Sequence, residues 1–184
     1  MWDFREFNEF LKDTGKYILV IALVFLIFMF VISFQGIVGN SMAPALNDNE
    51  MVIVSKLTPR IFSLKRNDVV SLKSPDGKVY VKRIIGLPGE EIHYLNNTLY
   101  INGSAYTENF LSNNVTTNNF LLEDVCSNVK CNYNKIPENY YLVLGDNRND
   151  SLDSRDKSLG LVPKNNIIGK IILRFWPINK FSKI

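Results

Sequence analysis

Ser41 lies in a short turn whose residue types can hold one hydroxyl group in a fixed position. Gly39 permits backbone angles that are closed to other residues, and Pro44 fixes its own φ and restricts Ala43 before it. The turn follows directly on the only long apolar run of the chain. A lone loop serine is usually without catalytic function, so Ser41 becomes a candidate nucleophile only if a base lies within reach.

The histidine and cysteine content restricts which base could activate this serine. The one histidine, His93, falls on a predicted exposed hairpin, and Cys126 and Cys131 fall in a loop-like segment. A Ser-His-Asp triad or a Cys-His pair is therefore poorly supported, and a lysine base is the remaining option. Lys82 lies in the middle of a predicted strand, where the pattern alone favours a solvent-exposed side chain. If it points inward, burial lowers its pKa from ~10.4.

A third polar stretch, residues 145–155, first suggests a calcium loop. Arg148 stands at the third ligand position and no glycine stands at the sixth, so the match fails. One histidine and two cysteines also exclude most zinc sites, which need four such ligands or three plus water. The sequence therefore predicts neither a metal nor a cofactor.

Three motifs, in this order after an N-terminal apolar run, resemble the bacterial type I signal peptidases. These are membrane-bound endopeptidases that use a Ser/Lys pair to remove signal peptides from exported proteins, and the resemblance is to their single-anchor, Gram-positive-like type. The motifs are Ser41-Met42, Lys82-Arg83-Ile84-Ile85-Gly86-Leu87-Pro88-Gly89-Glu90, and Gly145-Asp146-Asn147-Arg148 followed by Ser151-Leu152-Asp153-Ser154-Arg155.

The resemblance implies that Ser41 is the nucleophile and Lys82 the general base, because the family's catalytic lysine precedes an arginine in this motif. The oxyanion hole is expected to use the backbone N–H of Ser41. Some relatives supply a second donor from a serine two residues earlier. This chain has Gly39 there, so the Gly39 region must supply a backbone N–H or water.

The third motif implies residues that support this pair. Ser151 matches the serine that orients the lysine amine. Two ion pairs are expected to brace the site, and they are Arg83 with Asp146 and Asp153 with Arg155. The order Asn149-Asp150 reverses the one common in the family and affects no proposed catalytic group.

Substrate specificity would come from shallow apolar pockets for small residues at the first and third positions before the cut. The candidate lining flanks the two catalytic residues and consists of Ile37, Met42, Leu46, Tyr80 and Val81. The alternative for each of these is an ordinary core position. An extended peptide could add as a strand beside residues 79–82 or 35–39. The expected partners are signal peptides of exported preproteins and membrane lipid.

Residues 17–34 form an uncharged run close to the ~20 residues needed to cross a bilayer. A buried soluble helix seldom runs this long without a polar residue. A cleavable signal peptide has a shorter apolar region that ends at a small-x-small site, and the run ends without Ala-x-Ala. The sequence therefore predicts a retained transmembrane anchor. Residues 1–16 form either an interfacial helix or an extension of this one.

Basic residues predict the orientation of the anchor. Those before the run are Arg5, Lys12 and Lys16. The next lysine or arginine after the run is Lys56. The positive-inside rule therefore places residues 1–16 in the cytoplasm and residues 35–184 outside the cell membrane.

Residues 35–184 read as short β-rich runs separated by turns, with no second helical pattern. Predicted strands cover residues 50–55, 68–72, 78–86, 140–144 and 167–175, and residues 91–103 predict a hairpin. This pattern predicts a mainly β fold, with an antiparallel catalytic domain behind a single membrane helix.

Residues 104–138 interrupt this pattern and are rich in Asn, Ser and Thr. We expect an excursion from the β domain here. Cys126 and Cys131 lie within it, and a disulfide or two free thiols both remain open from the sequence.

Length and charge agree with one domain beside a membrane. The chain has 184 residues, 46% of them hydrophobic, and a formal net charge of +3. No basic cluster suggests a nucleic-acid surface. Two other functions remain open, namely a self-cleaving Ser/Lys regulator of the repressor type and a non-enzymatic, membrane-tethered β module.

Overall fold

A long N-terminal helix and two antiparallel sheets make up the computed structural model, which describes residues 3–112 and 115–184. Residues 1 and 2 of the predicted cytoplasmic segment and residues 113 and 114 of the predicted excursion lie outside the described residues.

The elements are numbered along the chain. The helices are α1 (Phe4–Val31), α2 (Thr58–Ile61) and α3 (Leu122–Val125), and 3-10 turns lie at Asn132–Asn134, Lys164–Asn166 and Ile178–Lys180. The strands are β1 (Ile32–Gly36), β2 (Met51–Ser55), β3 (Val69–Lys73), β4 (Val79–Gly86), β5 (Ile92–Leu95), β6 (Thr98–Ile101), β7 (Ser104–Tyr106), β8 (Phe120–Leu121), β9 (Tyr140–Leu144), β10 (Val162–Pro163), β11 (Ile167–Trp176) and β12 (Ser182–Lys183).

Helix α1 contains a segment long and apolar enough to cross a membrane, Lys12–Val31, with a mean hydropathy of 2.4. Residues 4–16 continue this helix instead of forming a separate one. The helix ends at Val31, three residues before the predicted end at Phe34, because Ile32 and the residues after it pair with β2. An apolar run suits a helix and a buried strand alike, so its composition could not mark the boundary.

The larger sheet has the order β1-β2-β11-β3-β4-β9-β10, with β12 paired to β11, and all its pairs are antiparallel. The predicted strands from 50 to 175 correspond to β2, β3, β4, β9 and β11, so the mainly β fold class is confirmed. Within the described residues, β1 pairs only with β2. Strand β9 pairs with β4 only from Arg83 onward, so one edge of residues 79–82 has no strand partner in the part of the chain that the structure describes.

The smaller sheet, β7-β6-β5-β8, contains the predicted hairpin. Its turn, Asn96-Asn97, has positive φ at both residues, 49° and 61°, as a two-residue type I′ turn requires. The excursion supplies β7 and β8 to this sheet. It also supplies buried core residues, namely Phe120, Leu122, Val125 and Ile136. These apolar residues are dispersed among polar ones, so they form no run in the sequence.

Cys126 and Cys131 form a disulfide with a Cα–Cα distance of 6.0 Å, within the range that disulfide geometry allows. The bridge closes the segment that follows α3. This settles the pairing that the sequence left open.

Candidate active site

Ser41 and Lys82 meet although 41 positions separate them in the chain. The Nζ atom of Lys82, in β4, lies 2.6 Å from the Oγ atom of Ser41, in the loop between β1 and β2. If the amine is charged it donates to the hydroxyl, and if it is neutral the hydroxyl can donate to it. The arrangement can therefore move a proton from the serine to the lysine without any other group.

The loop that carries Ser41 is held by the third motif. Asn147 donates its backbone N–H to the Ser41 carbonyl over 3.1 Å and its side-chain amide to the Asn40 carbonyl over 3.2 Å. Arg174 of β11 also holds this loop, because it donates to the Ala45 carbonyl over 3.2 Å and pairs with the buried Glu50. Sequence reasoning missed Asn147 and Arg174 as supports, because their partners are distant in the chain.

Lys82 is 2% exposed, and its environment favours the neutral amine. Burial lowers the pKa of Lys82 from 10.5 to about 8. The charge of Asp153 opposes this shift, Arg155 adds to it, and Asp146 and Asp150 oppose it further. Desolvation outweighs the three carboxylates, so a neutral amine is accessible near neutral pH. The solvent-exposed alternative for this lysine is excluded.

Ser151 lies beside Gly145, close to the backbone of Ser41, and its hydroxyl makes no hydrogen bond within the described residues. A Cβ atom built on Gly145 would stand 2.1 Å from the Ser151 Oγ and 2.5 Å from the Ser41 carbonyl oxygen. Gly145 is therefore needed for the close approach of the two serine segments. The bond from the Lys82 amine to Ser151 is not formed, so an orienting role for Ser151 stays a prediction.

The two pairs named from the third motif both form. Arg83 contacts Asp146 through two bonds, of 2.8 and 2.5 Å, and Arg155 contacts Asp153 through two bonds of 2.8 Å. Asp153 also accepts the Gly145 N–H over 3.0 Å. Bidentate pairs of this kind fix orientation as well as charge. The Arg83–Asp146 pair attaches the third motif to β4 directly after Lys82, and the Asp153–Arg155 pair braces the motif internally.

The predicted oxyanion donors have different surroundings. The backbone N–H of Ser41 has no acceptor within the described residues. The N–H of Gly39 is already donated to the Asp48 carboxylate over 2.7 Å, and Gly39 has a φ of 82°. Gly39 therefore shapes the turn, and its own N–H is engaged elsewhere.

A cavity of about 410 Å³ opens beside Ser41. It is bordered by β1 and by the first half of β4, each of which has one edge without a strand partner in residues 3–112 and 115–184. Its lining residues are Ser33, Phe34, Gln35, Gly36, Ile37, Val38, Ser41, Met42, Ser71, Val79, Tyr80, Val81 and Ile168.

Four of the five predicted pocket residues line this cavity, namely Ile37, Met42, Tyr80 and Val81. Leu46 does not. It is fully buried and packs in the core with Val52 and Val54, so the expectation for this residue is corrected. Ile37, Met42 and Val81 belong to the same core cluster as Leu46, but they also reach the cavity wall.

The third motif is also tied to the excursion, through a cluster that sequence reasoning missed. The buried Arg148 pairs with Glu108 over 2.5 Å and donates to the Tyr94 hydroxyl, the Thr117 hydroxyl and the Gly145 carbonyl. Burial alone would lower the pKa of Arg148, but the hydrogen bonds and charge of Glu108 raise it. No motif surrounds Glu108, so the sequence held no signal for this contact.

Comparison with known proteins gives one consistent result. A family model described as signal peptidase, peptidase S26, matches residues 11–176. The chain is 37% identical over 182 residues to signal peptidase IB of Staphylococcus aureus, covering 93% of this chain and 94% of the relative. It is 37% identical over 161 residues to signal peptidase I of Bacillus caldolyticus, covering 84% and 85%. A crystal structure of a signal peptidase I from Enterococcus faecalis matches with a TM-score of 0.51 at 37% identity, covering 60% of this chain and 97% of that chain.

Proposed function

Because this chain belongs to the signal peptidase I family of serine peptidases, peptidase S26, we propose that it removes signal peptides with Ser41 as nucleophile and Lys82 as general base. The observation that carries this proposal is the 2.6 Å contact between the Ser41 hydroxyl and a lysine amine that is 2% exposed. A serine hydroxyl needs an adjacent base to act as a nucleophile, and a buried lysine can be one near neutral pH.

The reaction follows from this geometry in two halves. The neutral Lys82 amine takes the Ser41 proton as Oγ attacks the carbonyl carbon of the scissile bond. The ammonium then protonates the leaving amine, the C–N bond breaks, and an ester to Ser41 remains. In the second half Lys82 takes a proton from water as the water oxygen attacks the ester carbonyl carbon. The bond to Ser41 Oγ then breaks, the Lys82 ammonium returns its proton to that oxygen, and the signal peptide leaves with a new carboxylate.

The developing negative charge on the carbonyl oxygen needs preorganised donors. The backbone N–H of Ser41 is the proposed donor, and its lack of another acceptor within the described residues supports this role. The Gly39 N–H is unsuitable because Asp48 already accepts it. Because Gly39 has no side-chain hydroxyl, a second donor would come from water.

The substrate would bind as an added strand. Among the described residues, one edge of β1 and one edge of residues 79–82 have no strand partner, and both edges border the same cavity. An extended peptide can satisfy both edges while placing alternate side chains in the cavity. The apolar lining by Ile37, Met42, Tyr80 and Val81 supports small residues at the first and third positions before the cut.

The third motif supports this centre without touching the substrate. The Arg83–Asp146 pair holds the motif against β4, the Asp153–Arg155 pair braces the motif internally, and Ser151 would orient the Lys82 amine during the reaction. Their contribution is positional, because none of these groups contacts Ser41.

The cut would take place close to the bilayer. Ser41 follows the end of α1 by ten residues, and β1 begins directly at that end. The basic residues before the apolar run favour a cytoplasmic N-terminus and an extracytoplasmic β domain. Protease added to intact spheroplasts should therefore cleave within the excursion, whereas protection of the excursion until lysis would contradict this orientation.

Cleavage of a preprotein with an Ala-x-Ala site by the full-length protein in detergent tests the proposal. The wild type should release the signal peptide at that site, and Ser41→Ala should abolish the release while leaving the fold intact. A purified protein that shows no cleavage would favour the non-enzymatic module, and unchanged cleavage by Ser41→Ala would exclude Ser41 as nucleophile.

A further inference from the structure

A second cavity, of about 850 Å³, opens where the β domain meets the end of α1. Three of its lining residues are cations, namely Lys56, Arg60 and Lys164, and none of the described lining residues is acidic. We propose that this cavity binds the phosphodiester headgroup of an anionic phospholipid whose acyl chains lie alongside α1.

Lys56 places the cavity at the level of the lipid headgroups. Its backbone N–H donates to the Val31 carbonyl over 2.9 Å, and its Nζ atom donates to the Met29 carbonyl over 3.3 Å. Both carbonyls belong to the last turn of α1, whose segment Lys12–Val31 is long and apolar enough to cross a membrane. Such a segment is about as long as the hydrocarbon core is thick, roughly 30 Å. The cavity therefore begins where the hydrocarbon core ends, whichever side of the membrane carries the N-terminus.

The three cations of the cavity lack carboxylate partners. None of them forms an ion pair with a described residue. By contrast, Lys170 on β11 pairs with Asp68, and Arg174 and Lys180 share Glu50. The cavity thus holds an excess of positive charge that an anionic ligand would balance.

The donors in the cavity wall suit a phosphodiester. The guanidinium of Arg60 can give two parallel hydrogen bonds to one phosphate, and a lysine amine adds a compact charge. Lys56 uses one of its three N–H donors on the Met29 carbonyl, so two remain. Asn139 and Asn165 also line the cavity, and their amides can bind the polar end of a headgroup.

Two apolar residues favour a lipid over a free phosphate ion. Ile61 and Phe62 directly follow Arg60, and they are 65% and 64% exposed. If Arg60 binds a lipid phosphate, both side chains can contact the acyl chains next to it, as apolar side chains do at the boundary of a bilayer. A soluble phosphate ion would gain nothing from this pair.

A headgroup in this cavity would also hold the catalytic cavity close to the bilayer. Ile168 of β11 borders both this cavity and the one beside Ser41. The two cavities therefore share a wall residue, and a lipid bound in one restricts how far the other can tilt away from the membrane. The binding itself does not depend on the proposed proteolysis.

Binding of a short-chain anionic lipid measures the site directly. The full-length protein in an uncharged detergent would be titrated with dioctanoyl phosphatidylglycerol or, as the zwitterionic control, dioctanoyl phosphatidylcholine, and bound lipid would be counted by native mass spectrometry. We expect phosphatidylglycerol to bind the wild type at least about tenfold more tightly. The triple variant Lys56→Gln/Arg60→Gln/Lys164→Gln should weaken this binding by about tenfold to a hundredfold and leave phosphatidylcholine binding unchanged.

A matched control separates the cavity from the overall charge. The triple variant Lys65→Gln/Lys135→Gln/Lys157→Gln removes the same charge from three exposed lysines that do not line this cavity, so it should bind phosphatidylglycerol as the wild type does. Both triple variants should unfold near the wild-type temperature in lipid-free detergent. Both should also cleave a soluble Ala-x-Ala peptide at the wild-type rate, because none of the six residues lies in the cavity beside Ser41.

Four outcomes decide the inference. Equal losses of lipid affinity in the two triple variants would show long-range attraction without a site and overturn it. Displacement of the lipid by an equal concentration of inorganic phosphate would assign the cavity to free phosphate. Slower cleavage by the cavity variant, confined to peptides with acidic residues after the cut, would assign the cations to the substrate. A wild type that binds phosphatidylglycerol selectively but cleaves no Ala-x-Ala peptide would support this inference and overturn the proposed function alone.

Discussion

Two buried cations, Lys82 and Arg148, differ in how completely the fold satisfies them. Both are nearly inaccessible, with exposures of 2% and 3%. Lys82 makes one hydrogen bond, to a neutral hydroxyl, and has no ion pair within the described residues. Arg148 has acceptors for its donors on every side, and these are the oxygens of Glu108, Tyr94, Thr117 and Gly145.

The difference appears in their protonation. Burial lowers the pKa of Lys82 to about 8, while Glu108 outweighs burial and raises the pKa of Arg148. A buried charge that is fully paired holds structure together, and one that is left unpaired becomes reactive. Arg148 is bound by Tyr94 of the smaller sheet and by Glu108 and Thr117 of the excursion, whereas Lys82 lies on β4 of the larger sheet.

Replacing Lys82 should have the largest effect on cleavage. Lys82→Arg keeps the positive charge but cannot deprotonate in a protein, and Lys82→Met keeps the approximate length without a base. Both should lower kcat/KM for an Ala-x-Ala peptide by at least about a thousandfold, since the nucleophile loses its base. Near wild-type cleavage by Lys82→Arg would mean that another group activates Ser41.

Removing the ion-pair partner of Arg148 should lower the stability of the fold. Glu108→Ala leaves the Arg148 charge buried without its partner, so we expect the free energy of unfolding to fall by about 3–5 kcal/mol. Lys78→Ala is the matched control, because it removes an exposed pair with Asp76 and should change stability by less than about 1 kcal/mol. Denaturant unfolding of the full chain in detergent measures both, and equal effects would show that Arg148 has another compensating partner.

The unpaired cation should also make stability depend on pH. The folded-state pKa of Lys82 lies below that of an exposed lysine, so the unfolded chain binds more protons between pH 8 and 10.5. The free energy of unfolding should therefore rise with pH across this window, by about 3 kcal/mol from this group at most. Subtracting the Lys82→Met profile from that of the wild type isolates this contribution. A flat difference would indicate that Lys82 is not desolvated.

Replacing Ser151 should lower the cleavage rate by less than replacing Lys82 does. Ser151→Ala removes the proposed acceptor of the Lys82 amine, so kcat should fall by about tenfold with little change in KM if the serine positions the amine. The loss of an acceptor also disfavours the ammonium, so the rising limb of the pH profile should move to lower pH. A rate as low as that of Ser41→Ala, or a changed KM with an unchanged kcat, would contradict a positioning role.

The sequence predicted the β domain and the motifs better than it predicted side-chain orientation. Strand β4 is buried on both faces from Val81 to Gly86, so alternation carried no information about Lys82, and only the family motif identified it. The fold also brings three cations from two segments to the cavity at the end of α1, and no motif marks them. Leu46 shows the opposite case, in which proximity to Ser41 in sequence wrongly suggested a place in the cavity.

Contacts between distant segments were the least predictable. Glu108 lies 40 positions from Arg148 in an Asn-rich segment without a motif, so nothing in the sequence pairs them. Asp48 accepts the Gly39 N–H only because the loop folds back on itself. Such pairs depend on the complete fold, whereas strands and turns depend on local residue types.

The pH dependence of kcat/KM tests the central claim most directly. The claim is that a desolvated Lys82 acts as a neutral base on Ser41. With an Ala-x-Ala peptide that has no titrating group, the account predicts a rising limb with an apparent pKa of about 8 and a plateau above it. A limb near the ~10.4 of a free lysine, or a profile without a basic limb, would contradict the claim.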